Sequence, residues 1–175
     1  MASNLMPRRV AAALAMALLV GACTEQAPTE PAAAPLLASH DGPTLIECPT
    51  NVTSSATAVI GAFGGSVTVG GSSITLPPAA VLEPTTITVT VPASKYVEID
   101  VTANGAEHFD FLVPATITIS YARCTRSDIN QKTLTAWYID SVLKTLLQPM
   151  GGFDNKVTRT VTFTTEHLSG YSIAE

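Results

Sequence analysis

With 175 residues and 46% hydrophobic side chains, the chain has the length of a single domain with a real core. Its 14 Asp and Glu outnumber its 9 Lys and Arg, for a net charge of −5. No basic run breaks the body, which argues against nucleic-acid binding and against electrostatic attraction to an anionic bilayer.

The first residues read as an address and not as part of the fold. Arg8 and Arg9 form a short positive region. "VAAALAMALLV" (10–20) is an apolar stretch of 11 residues, the pattern of a secretory signal and too short to span a membrane. The stretch closes on "LLVGAC", with Val20, Gly21 and Ala22 before Cys23. This resembles the lipobox of bacterial lipoproteins. The resemblance implies removal of residues 1–22, a diacylglyceryl thioether on Cys23 and acylation of the new N-terminus. Several chains together anchor stably where one binds only marginally. Residue 24 is Thr and not Asp, which in that family favours the outer membrane. The membrane partner is thus lipid, reached through Cys23, and the expected location is the bacterial cell envelope. Loss of Arg8 and Arg9 with the leader leaves 7 basic side chains against 14 acidic ones, so the lipid must do the anchoring.

Cys23 and residues 24–43, "TEQAPTEPAAAPLLASHDGP", form the next segment. Pro and Ala dominate and no apolar period appears, so it reads as an extended, semi-rigid tether. Residues 44–175 are then the folded domain. Of the three cysteines, Cys48 and Cys124 remain for that domain. An even pair in an exported protein favours a disulfide over two free buried thiols. Closing a loop of this length would contribute up to roughly 4.5 kcal/mol in the chain-entropy model, before strain.

The body alternates at period two between turn residues. "SVTV" (66–69) stops at Gly70-Gly71, "SITL" (73–76) at Pro77-Pro78, and "TITVTV" (86–91) at Pro92. "YVEIDVTA" (96–103) stops at Asn104-Gly105, a tight-turn signal. "FDFLV" (109–113) stops at Pro114, and "ATITISYA" (115–122) follows. "LTAWYID" (134–140), "KTLLQ" (144–148), "RTVTFTT" (159–165) and "GYSIA" (170–174) complete the set. "DSVL" (140–143) reads as a hairpin turn, and the polar 125–133 as a loop or one helical turn. Thr alternating with Val or Ile gives one wet and one dry face. About ten short antiparallel strands predict an all-β sandwich or barrel. Trp137 is expected in or near the core of a central strand, and Tyr96, Glu98 and Asp100 on a wet face.

The run "GGSVTVGGSSITLPPAAVLEPTTITVTV" (64–91) has a Gly-Gly opening, a hairpin and an apolar-Pro-Pro turn before a third strand. With "FDFLVPATITISYA" (109–122) and the ending "FTTEHLSGYSIA" (163–174), it resembles the ZU-five domain, a β-sandwich module of scaffold and receptor proteins. It departs at Ala79, where that family more often has Gly. The resemblance implies a protein or surface interaction and no small-molecule catalysis. The residues agree, because no nucleophile elbow, phosphate loop or calcium-loop spacing is present. No cofactor is implied. His40, His108 and His167 stand at no metal-ligand spacing. Within "EHFD" (107–110), Glu107, His108 and Asp110 read as a solvated strand start rather than an ion site.

His167-Leu168-Ser169 resembles the self-cleavage tripeptide of one ZU-five region, of autoproteolytic nucleoporins and of adhesion-receptor domains. The resemblance makes Ser169 the nucleophile, His167 the base and Leu168–Ser169 the scissile bond, with an N→O acyl shift and hydrolysis of the ester. The structural alternative has Leu168 filling the core and Ser169-Gly170 forming a bend before the last strand.

Overall fold

A computed structural model describes residues 42–175. Residues 1–22, Cys23 and most of the tether lie outside the described residues. Among the described residues eleven strands are formed: β1 (Ser54–Ile60), β2 (Gly65–Val69), β3 (Ser72–Leu76), β4 (Thr85–Val91), β5 (Glu98–Ala103), β6 (Asp110–Ser120), β7 (Thr135–Asp140), β8 (Thr145–Gly151), β9 (Phe153–Asn155), β10 (Thr160–His167) and β11 (Gly170–Ala174). They build two antiparallel sheets, a six-stranded one in the order β1-β4-β5-β11-β7-β8 and a five-stranded one in the order β2-β3-β6-β10-β9. The expected all-β sandwich is the fold.

The period-two pattern explains how the sheets face each other. Along β4, Ile87 and Val89 are fully buried, while Thr86, Thr88 and Thr90 turn outward. Ile74, Ile99, Ile117 and Ile119 supply the same dry side from both sheets. Burial of each such side chain contributes about 1.5–3 kcal/mol. On the wet side hydroxyls pair across strands: Thr57 with Thr88 at 2.9 Å, and Thr118 with Thr162 at 3.0 Å. Asn104 and Gly105 both have positive φ and close the expected two-residue turn.

Cys48 and Cys124 are disulfide-bonded across a sequence separation of 76. The bond fastens the segment before β1. There Thr44 exchanges two hydrogen bonds with Glu175, and Leu45 and Glu47 bridge Ala174 and Tyr96. The polar 125–133 stretch holds one 3₁₀ turn, Ser127–Gln131, pinned by buried Ile129.

Four expectations are corrected. First, Pro114 does not end a strand, because β6 runs through it. The ladder with β10 shifts register between Thr165 and His167, and β3 pairs only with Thr116–Thr118, so no ladder bond is asked of the missing N–H. Second, β1 and β9 arise where no strand is expected. The inward positions of β1 include Ala56 and Ala58, too small to mark a dry face. Third, Trp137 lies outside the core. It pairs with Ser172 and Pro149 on the outer face of the six-stranded sheet, half-buried, with Nε1 enclosed and unbonded. Inward Leu134 and Ala136 take the core. Fourth, Glu98 is not wet. The Lys144 ammonium reaches back from the β7–β8 turn to its Oε2 at 2.7 Å and leaves it 3% exposed.

Candidate functional site

His167, Leu168 and Ser169 occupy the point where the chain leaves one sheet for the other. β10 ends at His167 in the five-stranded sheet, and β11 begins at Gly170 in the six-stranded one. The crossing is held tightly. Leu168 is fully buried and donates its N–H to the Phe109 carbonyl at 2.9 Å. The Ser169 carbonyl accepts from the Val101 N–H at 3.3 Å. The His167 carbonyl accepts from two hydroxyls, Thr165 at 2.9 Å and Tyr171 at 2.5 Å. Burial pushes the Tyr171 phenol up to about 12, so this donor keeps its proton at neutral pH.

The imidazole of His167 belongs to an aromatic cluster. Its ring centre lies 6.2 Å from that of His108, 5.7 Å from Tyr138 and 6.5 Å from Tyr171. It opens onto a shallow concavity shared with Pro114, Gln148 and Met150. Ser169 opens onto a different one. Among the described residues His167 and Ser169 share no hydrogen bond, and none of the three tripeptide residues has left-handed backbone. Tyr171 bonds the carbonyl before Leu168, one residue away from the one a nucleophile at Ser169 would attack. The tripeptide is therefore assembled as a braced sheet crossing, with its Ser and His turned to separate surfaces. The sequence spacing of two residues places both on one face only while a strand continues. The switch of sheets removes that relation.

The cavity at Ser169 measures about 340 Å³. Asp100, Glu107 and Asp140 line it, with Tyr138, Ile139, Val142 and Leu147 as its apolar part. Gly170 brings its walls together: a Cβ there would lie 3.0 Å from Asp100 Oδ1 and 3.3 Å from the Ser141 side chain. Asp140 Oδ1 caps the β7–β8 turn by accepting from the Val142 and Leu143 N–H groups at 2.9 and 2.7 Å. That leaves Val142 and Leu143 on the lip, 85% and 71% exposed. Burial raises the Asp100 carboxyl above its ordinary range. Glu98 and Glu107 add to the rise, and Lys144 opposes it. An acid-lined hollow with an apolar lip can hold a group that is cationic at one end and apolar along its stem.

Of the 107–110 group only Glu107 reaches this hollow, and His108 and Asp110 are not among its lining residues. His108 Nε2 stands 3.6 Å from Asp110 Oδ1, both side chains more than three-quarters exposed. Among the described residues no three His, Cys, Asp or Glu side chains group to hold a metal ion. Cys23 and His40 fall outside the described residues. Sequence reasoning missed Asp100, Asp140 and Val142. They meet only because the β7–β8 turn folds over β11, and no local pattern announces that. No protein-family model and no curated protein sequence matches the chain.

Proposed function

We infer that this chain is a lipid-anchored lipoprotein of the bacterial cell envelope whose β-sandwich serves as a binding or structural module. Cys23 carries the lipid, and the partner is a protein or envelope surface. The observation that best supports the reading is the exposed Val142 and Leu147 lining the acid-lined hollow, with exposed Leu143 next to Val142 in the same turn. Large apolar side chains left together in solvent at the rim of a polar cavity mark interaction surfaces. The likeness of residues 64–91 and 109–122 to the ZU-five module points the same way.

A photo-crosslinking residue at Val142, in cells that make the protein naturally, tests this. One defined adduct is expected, and it is lost in the Leu143→Lys, Leu147→Lys background. The same residue placed at exposed Thr133, away from the hollow, gives none. No adduct at Val142, or identical adducts at both positions, contradicts the reading. The structural role given to His167-Leu168-Ser169 also makes a prediction. Mass spectrometry of the denatured protein finds the Leu168–Ser169 bond intact, and unchanged on long incubation. Two fragments would restore self-cleavage.

A further inference from the structure

Each sheet has two open edges, and two of the four strands there, β8 and β9, are blunted. β8 contains Pro149 and two register shifts. β9 has three residues, while β2 is unbroken but, at five residues, offers a shorter edge than β1. Short strands, prolines and irregular ladders keep edges from pairing with other chains. β1 has none of these. It is seven residues long, runs in seven unbroken pairs with β4, and contains no charge and no proline. Every second residue of such a strand directs its N–H and C=O away from its one neighbour.

Two further features surround that edge. From residue 48 to residue 82 the chain has no Asp, Glu, Lys, Arg or His, so β1, β2 and β3 form a charge-free flank on a protein of net charge −5. Val59 in β1 and Phe63 just after it are 68% and 96% exposed. Uncharged side chains surround Thr57 at the centre of β1. Ala56 and Ala58 flank it, with Ser55 and Val59 beyond.

We propose that β1 pairs antiparallel with β1 of a second copy, joining two six-stranded sheets across a two-fold axis at Thr57. A two-fold interface sets one patch against itself, so any charge on it meets its own like. This flank is where an acidic molecule meets its copy without that repulsion. In the shared ladder Thr57 faces Thr57, Ala56 faces Ala58, and Ser55 faces Val59. The proposal goes beyond the anchor and the acid-lined hollow and depends on neither.

Sedimentation equilibrium of the purified full chain is the test. A dimer is expected for the native chain and for Gln148→Lys on the β8 edge. Thr57→Lys puts two ammonium groups at the axis and weakens association at least about tenfold. Circular dichroism and melting temperature show that this variant stays folded. Thr57→Cys, mildly oxidised, gives a covalent dimer whose peptide map joins residue 57 to residue 57. A native chain that sediments as a monomer, a dimer that survives Thr57→Lys, or a Thr57→Cys chain that does not cross-link through residue 57 overturns the proposal.

Discussion

Ala79 shows how one side chain can oppose its own turn. Its φ of 65° lies in the left-handed region, and its N–H is held by the Ala62 carbonyl at 2.8 Å, so the turn cannot relax without losing that bond. Left-handed backbone costs an L-residue roughly 1–2 kcal/mol, a cost glycine avoids. Ala79→Gly regains part of it, less the extra freedom of the unfolded chain. Thermal denaturation is expected to show a gain of about 0.5–1 kcal/mol. Asp100 gives the second residue-scale prediction. Burial holds its carboxyl above the ordinary range, so the folded protein binds that proton more tightly than the unfolded chain does. Stability from this group therefore falls as pH rises from the unfolded value through the folded one. Asp100→Asn has no charge to bury. It raises the melting temperature at pH 7, and the gain shrinks as the pH falls from the raised folded value to the ordinary carboxylate range.

At the scale of elements, the segment before β1 is held by few backbone bonds and by the Cys48–Cys124 bridge. Cys48→Ala with Cys124→Ala removes the constraint on the unfolded chain and is expected to cost about 2–4 kcal/mol in denaturant unfolding, with the sandwich retained. Legibility also divides at this scale. β4 and the second half of β6 are plain in the sequence because Thr alternates there with Val or Ile, and that alternation is a local property. β1 is hidden because its dry side holds Ala56 and Ala58. The passage of β6 through Pro114 depends on a register shift in another strand. Burial of Glu98 depends on Lys144, 46 residues away. The candidate site divides the same way. The tripeptide at 167–169 and the two disulfide cysteines stand out in the sequence. The hollow beside Ser169 does not, since it exists only where the β7–β8 turn lies over β11.

For the whole molecule, the proposed contacts fall on different parts. The acid-lined hollow with its apolar lip lies beside β7, β8 and the start of β11. The charge-free flank is formed by the strands at the other end of both sheets. The disulfide secures the N-terminal side of the sandwich, through which the tether and Cys23 would bear any load from a membrane. In the proposed function the domain is held in the envelope by lipid. The direct test is the mass of the first peptide of the mature protein, purified from membranes of cells that make it naturally. The account predicts a chain beginning at Cys23, with a diacylglyceryl group on its sulfur and an acyl group on its amine. An unmodified Cys23, or a water-soluble protein still carrying residues 1–22, would contradict it.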